Sequence, residues 1–254
     1  MGAAVRVLTW NLFHGRALPP AGRPLLAQFA GALAGWDWDV ALLQEVPPWW
    51  PPALARACRA EAAAVLTSRN ALLPLRRRLA DRLPDLIGAN GGGANAVLVR
   101  RVGEAAGSGA RPGEPGGRIR ESHAVRLRRL PERRVAQFVG LADGTCLVNL
   151  HASRSPALAA EELDRVWERA RAWAPPEAPL VIGGDLNLRA LPVRADRPGS
   201  VAGDGVDHIL ARGLRAAGPV VRPARDLGPA GCLLSDHPAL IVPLTRGEGG
   251  DRPI

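Results

Sequence analysis

The chain has 254 residues, a formal net charge of +9, 47% hydrophobic and 22% charged residues, the balance of a globular protein with a sizeable core rather than of a disordered or fibrous chain. Its longest apolar runs, residues 40–43 and 180–182, are far too short to cross a bilayer, and the amino terminus has no secretory apolar stretch; the expectation is a cytoplasmic protein with no membrane partner. Cys58, Cys146 and Cys232 are odd in number and widely spaced, which excludes a disulfide framework and a cysteine zinc site.

Taken in chain order, residues 5–10 read as an apolar opening strand and residues 25–33 as a helix by their spacing. Residues 39–44 read as a buried strand. The prolines Pro47, Pro48, Pro51 and Pro52 then lead into a helix expected over residues 53–64. Residues 72–83 form a basic helix, and residues 95–100 return to strand. The Gly/Pro/Ala-rich stretch 103–117 has no periodicity and reads as a mobile surface loop.

Three strands are expected at 122–127, 135–141 and 145–150, the last two flanking the hairpin turn Asp143-Gly144. Residues 158–173 are amphipathic and helical, with Glu161 and Glu162 near the start, where the helix dipole favours acids. Strands at 180–182, 206–210 and 239–244 close the chain, and 246–254 is a polar, Gly-rich tail expected to be disordered. Mixed strands, helical crossovers and central hairpins indicate two packed sheets with helices outside them, forming one domain over residues 1–245.

Acids, amides and histidines gather at the ends of these strands, where loops leave a rigid sheet. Asn11 ends Thr9-Trp10-Asn11, and Glu45 ends Leu42-Leu43-Gln44-Glu45. His151 ends Asn149-Leu150-His151; Asp185 and Asn187 end Gly183-Gly184-Asp185-Leu186-Asn187. Asp207 lies in Val206-Asp207-His208-Ile209, and Ser235-Asp236-His237 precedes the last strand. Each has an ordinary reading alone: Glu45 as a solvated edge residue, Asn11 as a turn support, His151 or His237 as a satisfied structural histidine. His14 and His208 read as structural, and His123 has no supporting context.

As an ordered set these residues supply what hydrolysis of a phosphate ester requires. Carboxylate and amide oxygens suit a hard divalent cation such as Mg²⁺. A carboxylate or histidine can position and deprotonate a water, and further donors can meet the charge developing on the phosphoryl oxygens.

The set resembles the endonuclease/exonuclease/phosphatase superfamily, which includes deoxyribonuclease I, from Val5 to Leu244. Gly-Gly-Asp-Leu-Asn at 183–187 and Ser-Asp-His at 235–237 are the most specific parts, and Ala94 stands where the family's Gly-Asn-Ala strand usually has glycine. The resemblance implies an α/β (α+β) fold, a four-layer α/β/β/α sandwich of two mixed sheets flanked by helices. It implies Glu45 as principal ligand of Mg²⁺, with Mn²⁺ as a substitute, Asn11 beside it and Asp236 adding to the metal site. Asp185 would orient or activate the attacking water and Asn187 would hold a phosphate oxygen. His237, oriented by Asp207, would be the acid–base or phosphate-binding group, with the Asp185 and His237 roles exchangeable. His151 would stabilise the phosphate or leaving group.

All 33 basic residues are arginine, since lysine is absent. Guanidinium forks match phosphate geometry, so Arg100 and Arg154 are candidate substrate-binding residues, with Arg16, Arg101, Arg189 and Arg194 near the motifs. Trp49 and Trp50, just past Glu45, could stack on bases or cap the core. DNA is the first expected substrate and a small-molecule or lipid-headgroup phosphodiester the alternative. The competitor of another class is a non-catalytic arginine-rich nucleic-acid-binding protein, which would have no use for carboxylates beside a bound phosphate. Neither a dinucleotide-binding glycine fingerprint nor a Walker loop is present; the triplet Gly91-Gly92-Gly93 reads as a turn.

Overall fold

The computed structural model describes residues 4–67, 70–83, 85, 93–100, 118–130, 132–226 and 231–247. The loop expected at 103–117, Arg101, most of the triplet at 91–93 and residues 248–254 of the expected tail lie outside them.

Two six-stranded mixed sheets carry the fold. The first is built from β1 (Val5–Asn11), β3 (Val40–Val46), β4 (Ala60–Leu66), β5 (Ala94–Arg100), β12 (Leu214–Ala216) and β14 (Leu240–Arg246), in the order β12-β14-β1-β3-β5-β4. The second is built from β6 (Ile119–Arg128), β7 (Arg134–Leu141), β8 (Cys146–His151), β9 (Leu180–Asp185), β10 (Ser200–Asp204) and β11 (Asp207–Arg212), in the order β10-β11-β9-β8-β7-β6. A small ribbon pairs β2 (Ala17–Leu18) with β13 (Leu233–Leu234). The parallel pairs are β1 with β3 and β8 with β9.

Strand alternation divides the apolar side chains between layers. Val7, Val40, Leu42, Val97 and Val242 of the first sheet meet Val139, Leu147, Val181 and Ile209 of the second in the central core. The opposite face of the first sheet, with Leu8, Trp10, Ala41 and Leu43, packs on Phe29 and Leu33 of α1 (Leu26–Gly35) and Leu54 of α2 (Pro51–Cys58). The outer face of the second sheet, with Phe138, Val148 and Ile182, packs on Leu163, Val166 and Trp167 of α3 (Pro156–Trp173). Four layers result, helix, sheet, sheet, helix, each hydrophobic face covered by the next.

One element differs from its sequence-based expectation. The helix expected over 53–64 ends at Cys58; Arg59 takes a left-handed conformation, and Ala60–Leu66 is a strand paired along its length with β5. Alanine favours helix, but an edge place beside the fully buried β5 overrides a propensity this weak. The strands β2, β10, β12 and β13 are short and were not legible in the periodicity.

Candidate active site

The parallel pairs place the expected site residues at one end of both sheets. In the first sheet Asn11 is level with Gln44, so Glu45 follows directly beside it. In the second, His151, Asp185 and Asp207 are consecutive neighbours across β8, β9 and β11. Pairing alone thus produces a row of three functional groups facing a strand end that carries Asn11 and Glu45.

Local backbone geometry then aims the side chains. The β3–β5 register shifts between Leu43 and Val46, and Glu45 has a φ of 49°; such irregularities re-aim a side chain near a site. Gly184, with a φ of 144°, can only be glycine: a Cβ would stand 1.8 Å from the Leu150 carbonyl oxygen. Beneath the site an amide pair spans the two sheets. Gln44 Nε2 donates to Asn149 Oδ1 at 2.8 Å, and Asn149 Nδ2 donates to the carbonyls of Leu43 and Ala96. Both side chains are fully buried, so the bond fixes the separation of the Glu45 and His151 strands in a place where a mispaired amide would be costly.

The carboxylates and rings converge. Asn11 Nδ2 donates to Asp185 Oδ2 at 3.0 Å, while Asn11 Oδ1 accepts from the Phe13 N–H. Asp185 Oδ2 lies 3.5 Å from His151 Nε2 and 3.7 Å from His237 Nε2; His151 Nε2 is 3.9 Å from Glu45 Oε1. His237 Nδ1 stands 2.8 Å from Asp207 Oδ2, and Asp236 Oδ1 is 4.0 Å from His237 Nε2. The Asn187 N–H donates to Asp185 Oδ1, and its side-chain amide donates to the Ala152 carbonyl.

Burial and charge set the protonation states. Burial disfavours the Glu45 carboxylate, but the hydrogen bond from His14 and the charges of His14, His151 and His237 outweigh it and hold the group at about 2. Burial likewise disfavours the His237 imidazolium, yet Asp207 and Asp185 raise the ring to about 9. Burial pushes Asp207 up to about 6 against the pull of His237, so between these two values the pair exists as imidazolium and carboxylate. His151 is pushed down by its burial, with Arg134 adding to the effect against Asp185 and Glu45, and stays neutral at neutral pH.

The donors fit a hard divalent cation. Ligand atoms of Asp185, Asp207 and His237 lie within 4.8 Å of one another, the ionised Glu45 carboxylate lies 3.9 Å from His151 Nε2, which is itself 3.5 Å from Asp185 Oδ2, and Asp207 Oδ1 is buried with no hydrogen-bond partner among the described residues. Oxygen-rich sets of this kind hold Mg²⁺ or a similar ion.

Two further residues complete the site. His14 Nε2 is 3.1 Å from Glu45 Oε2; the only signal in the sequence was its place three residues past Asn11. Buried Ser235 has a φ of 64°; its Oγ donates to the Asn11 carbonyl at 2.6 Å and accepts from the His237 N–H. Trp10 Nε1 donates to the His237 carbonyl, so the Ser-Asp-His turn is fastened to β1. His208 is structural, as expected, with Nε2 on the Leu188 carbonyl at 2.7 Å. His123 stacks on Phe138.

Arg100 is a correction. Because β5 runs antiparallel to β3, its last residue lies beside the start of β3, away from the Glu45 end. The Arg100 guanidinium is buried, donates to the carbonyls of Leu33, Ala34, Trp36 and Trp38, and lies 4.1 Å from the Trp38 ring centroid; it caps the end of α1. Arg154, by contrast, is exposed on the segment that follows His151. Arg16 lies over the Phe13 ring, and Arg194 is held by Asp196, Asp164 and Glu168. Trp50 is a core residue against Phe29, whereas Trp49 lines a cleft of about 440 Å³ with Pro48, Leu73, Pro74, Arg77 and Arg78.

The two packed sheets with their flanking helices define a protein of the deoxyribonuclease I-like fold. The profile of the Endonuclease/Exonuclease/phosphatase family matches residues 8–237, and the chain belongs to that family. Among solved structures it is similar to TDP2 from Caenorhabditis elegans, at 16% identity and a TM-score of 0.63, covering 95% of this chain and 75% of that one. It is similar to an endonuclease/exonuclease/phosphatase from Bacteroides vulgatus at 14% identity and a TM-score of 0.68, covering 96% and 99%, and to one from Beutenbergia cavernae DSM 12333 at 16% and 0.61, covering 96% and 72%. At these identities the likeness shows the fold. Functionally curated proteins give no match. No helix among the described residues is long and apolar enough to cross a membrane.

Proposed function

We propose that the protein is a divalent-metal-dependent phosphodiesterase that hydrolyses a P–O bond by in-line attack of water. The observation that carries this reading is the convergence of Glu45, Asn11, Asp185, His151, Asp207 and His237 within hydrogen-bond and ion-pair distances of one another at one end of the two sheets. A purely structural or nucleic-acid-binding protein has no reason to assemble ionised carboxylates where a phosphate would sit, because they repel it.

Glu45, with Asn11 and Asp236, would hold the cation, Mg²⁺ by its oxygen donors or Mn²⁺ in its place. When bound, such an ion neutralises charge on the phosphoryl oxygens and polarises the phosphorus centre. Asp185, fixed by Asn11 and by the Asn187 N–H, orients the attacking water and accepts its proton at Oδ2. His237, an imidazolium at neutral pH, donates from Nε2 to a phosphoryl oxygen, its Nδ1–H committed to Asp207. That protonation state supports the proton-accepting role for Asp185 over His237. Neutral His151 stabilises the phosphate or leaving oxygen through Nε2, Asn187 holds a phosphoryl oxygen, and exposed Arg154 meets the rest of the substrate.

The substrate proposed first is DNA, on the support of the net charge of +9. Much of that charge is engaged within the protein, by Arg6 with Asp37 and Asp39, Arg128 with Glu161 and Glu162, and Arg197 with Asp164. The assay therefore compares plasmid DNA, an abasic oligonucleotide, an inositol phosphate and bis-(p-nitrophenyl) phosphate, each with Mg²⁺ or Mn²⁺ and with chelator. Cleavage of the synthetic diester alone removes DNA and leaves the enzyme class. Absence of metal-dependent cleavage in every arm overturns the proposal.

A further inference from the structure

The strand that delivers Glu45 runs directly into a proline-framed turn, and that turn carries an indole. Pro47 and Pro48 restrict their own backbone angles, and the Trp50 N–H donates to the Pro47 carbonyl at 2.9 Å. Trp50 is taken up by the core against Phe29, while Trp49 packs only in part on that core and lines the cleft of about 440 Å³, a size that suits a small ligand. The facing wall is the helix Leu73–Arg82, which lies between β4 and β5. Helix positions four apart share a face, so Leu73 with Arg77 and Pro74 with Arg78 twice set a guanidinium beside an apolar side chain along that wall. Both arginines are exposed, and no carboxylate is among the lining residues.

The cleft belongs to the active-site end of the molecule. Val46 and Leu66 both pair with Ala94, so the turn at Pro47 and the connection that contains the helix leave the first sheet at one end, the end that carries Glu45. Trp49 is four residues past Glu45, at most about 14 Å along the chain.

We propose that this cleft is a subsite for one unstacked base and its phosphate, flanking the scissile bond of a single-stranded nucleic acid, and that it makes single strands and frayed ends better substrates than intact duplex. The proposal rests on the reading of the site as a DNA phosphodiesterase and names the form of DNA it takes. An indole face stacks on a base of any identity, and guanidinium forks pair with phosphate. In a duplex the base faces are covered by their neighbours, so Trp49 reaches a base only where the strand is unpaired. A choline-type headgroup suits an indole but is repelled by two arginines; an inositol phosphate uses the arginines and leaves the indole idle. An unstacked nucleotide uses both.

The test is fluorescence anisotropy with a labelled single-stranded oligonucleotide and a blunt duplex of the same sequence, in chelator so that nothing is cleaved. Trp49→Ala is expected to weaken single-strand binding about 5- to 150-fold and duplex binding by less than about threefold, while Trp49→Phe, which keeps a stacking face, stays within about fivefold of wild type on both. Arg78 is exposed, so Arg78→Ala tests the cleft without touching the core; it should reduce the salt dependence of single-strand binding by about 0.7 in log–log slope. Equal loss on single strand and duplex, or no loss on either in Trp49→Ala and Arg78→Ala, overturns the inference and leaves the hydrolase reading intact. A concentration-dependent dimer that Trp49→Ala abolishes assigns the cleft to a second copy of the chain and overturns it as well. The expected binding pattern in a protein that cleaves none of the assay substrates overturns the hydrolase reading and leaves the cleft as a nucleic-acid site.

Discussion

His237 Nδ1 and Asp207 Oδ2 are 2.8 Å apart although thirty residues separate them in the chain, because β11 delivers the aspartate and the turn before β14 delivers the ring. The pair sets a first prediction. In metal-free protein the His237 ring should titrate near 9 by ¹H NMR, and Asp207→Asn should lower that midpoint by more than one unit. The linkage has a definite sign. A ring raised from 6.5 to about 9 contributes stability that is full below 6.5 and is lost as pH climbs through 9. Urea midpoints of wild type and D207N should therefore differ most between about pH 6 and 9, where imidazolium faces carboxylate, and draw together above 9 as the ring deprotonates and in acid as Asp207 protonates; a constant gap across the whole range would contradict the pairing.

Glu45 gives the opposite dependence. Its carboxyl is held at about 2 against an ordinary 4.5, so its contribution is present above 4.5 and lost as pH falls towards 2. Wild type and Glu45→Gln should converge in stability near pH 2. At pH 7 the variant should bind Mg²⁺ at least tenfold more weakly, as read by titration calorimetry.

His237→Ala and Asp185→Ala should each reduce turnover of a competent substrate by about 10²–10⁴-fold, with unchanged far-ultraviolet circular dichroism. Near-wild-type metal-dependent activity in either variant would remove that residue from the site.

Arg100→Ala and Arg154→Ala should separate cleanly. The buried Arg100 guanidinium serves four main-chain carbonyls, and its loss should cost about 2–3 kcal/mol of stability while kcat and KM of the surviving folded enzyme stay within about twofold. Arg154→Ala should leave the melting curve unchanged and raise KM severalfold.

Gly184→Ala should destabilise the protein by about 3 kcal/mol or more, since the added Cβ meets the Leu150 carbonyl at 1.8 Å and the backbone lies at a φ of 144°. Thermal melts measure it; a shift under about 2 °C would refute the close approach of β8 and β9.

Periodicity and turn chemistry made most strands and helices legible, and residue types at strand ends made Asn11, Glu45, His151, Asp185, Asp207 and His237 stand out, because short-range pattern is what local sequence records. The alanine-rich β4 was misread as helix because its strand character comes from pairing with β5, a partner over thirty residues away. Arg100 was misread for a related reason: proximity to a motif in the chain says nothing about which end of an antiparallel strand a residue occupies. His14 and Ser235 were not assigned roles, since only the packed turns around Asn11 reveal what they touch.

The sequence by itself determined the chemistry on offer: the acids, amides and imidazoles, and the glycines that let strands approach. The tertiary structure alone decided which of these groups share a pocket, which arginine is a helix cap rather than a phosphate ligand, and which histidine is charged. Those outcomes depend on distances and burial between segments far apart in the chain, and no local pattern encodes them.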